Sequence, residues 1–207
     1  MRENKRLKRI KKSNSFYFLN AMKEDKINLL KYLLVGVVGF TIGGFLWSCL
    51  IGIYQDPFQE ISFGLIGGSI FGLVGGFFLS ILSNIKLKII IYSTIGYAIS
   101  GVMVFSQIAM LAGAILGIFG VIPIFFGIIV GGMFIGFALK KTKLFIILGA
   151  LGYITGYFVF GLLLALLCYA LNLNIVPMFT GLGIGTGIFL GLGVYHVEKH
   201  PPEEMSE

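Results

Sequence analysis

Between Lys88 and Lys140 the chain runs for 51 residues without a single charged side chain. As one helix that stretch would be ~75 Å long, against a bilayer hydrocarbon core about 30 Å thick. It must therefore double back within the apolar phase. Ser106 and Gln107 are its most polar point, with Gly113, Gly117 and Gly120 just beyond, so the pattern predicts helices over 89–109 and 115–139. Apolar runs at 29–53 and 62–82 are parted by Tyr54-Gln55-Asp56-Pro57-Phe58-Gln59-Glu60, where proline disfavours a continuing helix. After Lys143, Asn172, Asn174 and Pro177 mark another turn and give helices at 144–170 and 176–196. The expected fold class is all-α, a polytopic membrane protein with six transmembrane helices.

Composition excludes the soluble alternative. Hydrophobic residues make up 57% of the 207, charged residues 12%, and mean hydropathy is +0.96, whereas a soluble domain carries about 25% charge. From Ile27 to Val197 the only charged residues are Lys31, Asp56, Glu60, Lys86, Lys88, Lys140, Lys141 and Lys143. The first run is far longer than the ~7–15 residue core of a secretory signal and no A-x-A-like site follows it, so it is expected to be retained as a helix.

Charge then orients the spans, because cytoplasmic loops carry an excess of Lys and Arg. With six spans all sixteen basic residues fall on one side, while the other side holds only Asp56 and Glu60. A single span over 89–139 would carry Lys140, Lys141 and Lys143 across and destroy that separation. Both termini are expected in the cytoplasm, with the chain in the plasma (inner) membrane. Residues 1–26 form a basic N-terminal segment, 27–197 the membrane domain, and 198–207 a cytoplasmic tail.

The six helices pair as three hairpins, at about 29–83, 89–139 and 144–196. Gly39-Phe40-Thr41-Ile42-Gly43 matches Gly96-Tyr97-Ala98-Ile99-Ser100 and Gly152-Tyr153-Ile154-Thr155-Gly156. A small residue stands three places earlier in each: Gly36, Ser93 and Gly149. In the even helices Gly72, Gly127 and Gly181 align, followed four residues on by Gly76, Gly131 and Gly185. A recurring period of this kind predicts a triplicated unit. Each hairpin starts and ends inside, so the repeats are parallel, about a pseudo-threefold axis along the membrane normal.

All thirty glycines lie between Gly36 and Gly193, within helices or their turns. Gly64, Gly68, Gly72 and Gly76 recur at four-residue spacing, one stripe on one helix face. Lipid supplies no hydrophobic force between helices, so close backbone approach has to hold them together, and small residues permit it. Helix packing is therefore assigned to Gly39, Gly43, Gly64, Gly68, Gly72, Gly76, Gly96, Gly127, Gly131, Gly152, Gly156, Gly181 and Gly185. A glycine-lined path at the pseudo-axis, and oligomerisation through an outward stripe, are the competing uses.

Chemical machinery is scarce. No Asp, Glu, Lys, Arg or His lies within a span away from its ends. That argues against proton pumping, ion exchange at a buried carboxylate and intramembrane acid–base proteolysis. No catalytic, metal or cofactor site is assigned. His196 and His200, without an evident ligand partner, read as interfacial or solvated histidines. Cys49 and Cys168 read as small buried hydrophobes. The hydroxyls of Thr41, Ser69, Ser93, Thr94, Ser100, Thr155, Thr180 and Thr186 are expected to bond their own helix carbonyls. Trp47, Tyr54, Phe58 and Tyr169 fit an outer aromatic belt, and Tyr32 and Tyr195 an inner one.

Residues 1–26 carry nine basic side chains against three acidic ones. Arg2, Lys5, Arg6, Lys8, Arg9, Lys11 and Lys12 are assigned to anionic lipid headgroups, each contributing about 1 kcal/mol. A mostly disordered topology signal is the alternative for this segment, and nucleic acid is not an expected partner. The function expected from all this is a non-enzymatic accessory or assembly component, with a membrane-protein partner or a second copy of the chain. A small channel or carrier for a neutral or apolar solute is the second reading.

Overall fold

The computed structural model describes the backbone of residues 2–51, 60–83, 85–112, 121–171 and 178–200, with side chains described for 24–50, 62–83, 85–103, 129–171 and 179–200. No strand occurs among them. The helices are α1 (Arg2–Ile51), α2 (Glu60–Ile81), α3 (Lys86–Ala112), α4 (Val121–Ala138), α5 (Thr142–Ile154), α6 (Leu162–Ala170) and α7 (Met178–Lys199). A π-helical turn, Thr155–Gly161, joins α5 to α6, so residues 142–170 form one continuous rod. Four described stretches are long and apolar enough to cross a membrane: Glu24–Leu50, Ser62–Ile81, Thr142–Ala170 and Phe179–Lys199. A further apolar stretch, Ile129–Ala138, is shorter.

Residues 1–31 and 32–207 form two compact units. Arg2 to Lys31 is helical, which departs from the disordered alternative. The reason is compositional: no glycine or proline precedes Gly36, and Lys, Arg, Leu, Glu and Met favour helix. In the second unit the packing runs from helix to helix in a closed circuit. Glycine contacts join α1 to α2, α2 to α3, α3 to α4, α4 to α5, α5 to α7 and α7 back to α1.

Inside lies one continuous cluster of buried side chains, including Phe40, Phe71, Leu79, Ile89, Tyr97, Ile135, Phe145, Tyr153, Leu190 and Val194. Trp47, expected in an interfacial belt, belongs to this cluster with only 3% of its surface exposed. Tyr169 is 86% exposed. Cys49 is exposed rather than buried, because Trp47 and Ser48 take the inward side of that turn. Leu34, Val38, Ile42, Leu46 and their counterparts on other helices face outward.

Two turns are fixed by identifiable bonds. Ser83 Oγ accepts from Ile85 N (3.4 Å) and donates to Glu198 Oε1 (2.8 Å), tying the end of α2 to α7. At the end of α4, Lys141 N donates to Gly136 O (2.9 Å) and Lys140 N to Phe137 O (3.3 Å), with Lys140 at φ 54°. This is a Schellman cap, in which a left-handed residue closes the helix and glycine is normally preferred. Lys140→Gly is expected to stabilise the protein by about 1 kcal/mol through relief of the left-handed conformation. The check is the midpoint of unfolding in mild detergent, which should rise without change in helix content.

Candidate functional site: glycine seams around an aromatic core

The chain contains four Gly-Gly pairs, and each sits where one helix meets two neighbours. On α1, a β-carbon at Gly43 would press on the Phe71 backbone of α2, and one at Gly44 on Phe179 of α7. On α2, Gly67 faces the Trp47 indole of α1 while Gly68 faces the Tyr97 carbonyl of α3. Gly75 lies under the Phe40 ring of α1 while Gly76 meets Ser93 of α3. On α4, Gly131 lies under the Tyr97 ring of α3 while Gly132 meets Phe145 of α5. Successive residues on a helix point about 100° apart, so a doublet opens two adjacent faces at one level.

Helix α7 solves the same problem differently. Gly181 and Gly185 meet Gly161, Gly152 and Gly156 on the fifth rod. Gly183, Gly187 and Gly191, offset by two residues, meet Phe40, Gly36 and Tyr32 on α1. An offset of two is about 200°, which serves neighbours on nearly opposite sides.

The assigned packing glycines are distributed among these seams. Gly39 lies against Phe78, and Gly96 against Phe134. Gly64, Gly68 and Gly101 meet across α2 and α3, as do Gly72 and Gly76 with Ser93. Gly152 and Gly156 meet Gly181, Leu182, Gly185 and Thr186. Gly127 is on α4, but its surroundings lie outside the described residues, as do the side chains of Arg2, Lys5, Arg6, Lys8, Arg9, Lys11 and Lys12. The four-residue spacing missed Gly44, Gly67, Gly75, Gly132 and Gly161, whereas Gly183, Gly187 and Gly191 do recur at that spacing. The doublets would have pointed to Gly44, Gly67, Gly75 and Gly132, because each second glycine opens a second face.

The aromatic core is stitched together by ring contacts. Phe40, Phe71 and Tyr97 form a triangle with centroid distances of 5.1, 4.9 and 5.6 Å. Trp47 extends it, at 5.8 Å from Phe71 and 4.5 Å from Phe179. Edge and tilted contacts of this kind contribute about 0.5–1.5 kcal/mol each beyond their burial. Three of the eight hydroxyls expected to bond their own helix do so: Ser69, Thr94 and Thr155 donate to the carbonyls of Leu65, Ile90 and Leu151 four residues back.

Ser93 departs from that expectation. Fully buried, it donates across the seam to Gly72 O at 2.8 Å, an approach that the missing side chain of Gly72 permits. Ser93→Ala is expected to cost about 1 kcal/mol of unfolding free energy, the usual range for an interhelical bond in a membrane. Ser93→Val should cost more, because the seam has no room for a branched side chain. Denaturant titration of the purified protein measures both. Ser100 and Thr186 are also buried. Ser48 and Thr180 approach to 3.5 Å. Thr41 Oγ1 is buried with no hydrogen-bond partner among the described residues.

No family model matches the chain, and comparison with curated proteins and with solved structures returns no match.

Proposed function

We propose that this protein is a six-span integral membrane protein, N-in and C-in, acting as a non-enzymatic accessory or assembly component. The observation that carries this reading is the packed interior of the described residues. Phe40, Phe71 and Phe145 have no exposed surface, Tyr97 has 5%, and the glycines are occupied by backbone and rings from neighbouring helices. A conduit needs small or polar side chains facing an open axis. Here the small residues are used up in contacts between helices.

Matched contacts support the three-hairpin reading. Gly39 against Phe78 repeats as Gly96 against Phe134, and Gly75 under Phe40 repeats as Gly131 under Tyr97. Between hairpins, Gly76 with Ser93, Gly132 with Gly149 and Gly187 with Gly36 pair at the same register. This register equates Gly75 rather than Gly76 with Gly131, a shift of one residue from the alignment by spacing. The third hairpin departs from the pattern, since Gly152 meets Gly185 and Thr186 rather than an aromatic ring. Support for the orientation comes from the exposed Lys86, Lys88, Lys140, Lys141, Lys143 and Lys199, all at helix ends. Gly76 beside Ile89, Gly193 beside Phe145, and Ser83 bonded to Glu198 bring those ends together.

One observation favours the second reading, a carrier for a neutral solute: the unpartnered Thr41 Oγ1 between α1 and α7. Reconstitution separates the two. Proteoliposomes are expected to pass water, glycerol and urea no faster than protein-free vesicles, and extraction in mild detergent should give a particle heavier than the 22.6 kDa chain plus its micelle. Saturable flux that Thr41→Val abolishes would overturn the accessory role. The basic segment is assigned to anionic lipid on its charge. A peptide of residues 1–26 should bind phosphatidylglycerol vesicles and be released by salt. Equal binding to neutral vesicles would defeat that assignment.

A further inference from the structure

The end of α7 carries an arrangement that neither packing nor topology uses. His196 and His200 are four residues apart, both exposed, with ring centroids 5.1 Å apart. His200 N donates to His196 O at 3.0 Å, so a helix-like i to i−4 bond holds His200, just past the end of α7, one turn from His196. We propose that His196 and His200 form a two-imidazole clamp for a divalent transition cation of the zinc, copper or nickel class.

Geometry carries the proposal. A tetrahedral cation bound to two imidazole nitrogens at about 2.0–2.1 Å sets the two ring centres about 5 Å apart. The observed separation of 5.1 Å is the one such a pair requires. The charged neighbours on this turn are directed elsewhere. Glu198 accepts from Ser83 Oγ, and the Lys199 ammonium lies 5.7 Å over the Tyr195 ring and 3.5 Å from its hydroxyl. The position also favours a cation electrostatically, because the last carbonyls of a helix carry partial negative charge. Neutral imidazole selects zinc, copper and nickel over magnesium and calcium, which take oxygen ligands.

No cluster of three or more His, Cys, Asp or Glu side chains suited to a metal occurs among the described residues. The clamp therefore supplies two ligands, and solvent completes the shell. Such a site is exchangeable rather than permanent. When filled it would staple the last turn of α7, which Ser83 and Glu198 tie to the end of α2.

The test uses the full chain in detergent that has been stripped of metal. Calorimetric titration with zinc chloride should show one equivalent bound, and magnesium chloride should give no heat. His196→Gln and His200→Gln should each weaken zinc binding at least tenfold, with helix content and elution volume unchanged. With one equivalent of Cu2+, electron paramagnetic resonance should report two imidazole nitrogens in the parent protein and one in either variant. Absence of zinc binding below millimolar concentration would overturn the proposal. So would affinity unchanged in both variants, which would place the metal away from these two side chains.

Discussion

Gly68→Leu should prevent α2 and α3 from seating, and the protein should be recovered as aggregate rather than as a monodisperse particle. At Gly68 even a β-carbon would run into the carbonyl of Tyr97, with the α-carbon of Gly101 at 3.2 Å. Neither is the end of a flexible side chain, so the backbones themselves would have to part. Overpacking a core by a methylene or two already costs about 1–3 kcal/mol, and a leucine at a backbone seam should exceed that. Separation would also remove the Ser93 to Gly72 bond and uncouple Tyr97 from the aromatic triangle, so the losses are coupled rather than local. The doublet supplies an internal comparison. Gly67→Ala meets the indole of Trp47, a side chain, whereas Gly68→Ala meets backbone. The second should therefore be the more damaging, although the two positions are adjacent. Val38→Leu, on the outward face of α1, should leave elution and unfolding unchanged. Size-exclusion profiles and thermal unfolding across the four variants decide the point. A well-behaved Gly68→Leu protein would mean that this seam does not hold the helices together.

That comparison shows where the sequence was informative and where it was not. The helical class followed from one fact, an uncharged run too long for a single crossing. The helix ends at Lys86 and Lys141 were visible because charge clusters there, whereas the turn expected at Asp56 and Pro57 lies outside the described residues. The Gly64 to Gly76 stripe was legible because four-residue spacing repeats one face, and that face does meet α3. What spacing alone left out was the second neighbour of each helix. The Gly-Gly pairs encode it, but only to a reader who already expects every helix to touch two others. Trp47 was misplaced for a related reason. Its position near a span end matches an interfacial belt, whereas its burial depends on Gly67 leaving room beneath the indole. The helicity of residues 2–31 was written in their composition and was obscured by their charge.

Deleting Val159 should be tolerated and should leave the protein at least as stable, whereas deleting Ile147 from the same rod should abolish folding. The difference comes from the π-helical turn at Thr155–Gly161. Gly152 and Gly156, four apart, face α7 in ordinary helical register, and the next glycine to meet α7 is Gly161, five further on, with the Phe160 carbonyl carbon beside it. In an α-helix a residue five places on is rotated by about 140°, so Phe160 would be presented to Gly181 instead. A π turn bonds i to i+5 and accommodates one extra residue, keeping Gly161 on the α7 face. The wide turn is thus the consequence of glycine spacing, set against a helix that permits only backbone contact. Removing Val159, which is exposed, shortens the interval to four and lets an α-helical turn present the same glycine to Gly181. Ile147 is more exposed still, at 59%, but it stands in regular α5. Its loss would rotate the remainder of α5 by about 100° and bring bulky side chains to the seams with α4 and α7. Two exposed residues twelve positions apart should therefore behave in opposite ways. Circular dichroism and the unfolding midpoint of each deletion variant measure the contrast. If both deletions unfold the protein, the π turn is required for some reason other than glycine register. If both are tolerated, α5 is not held by its seams.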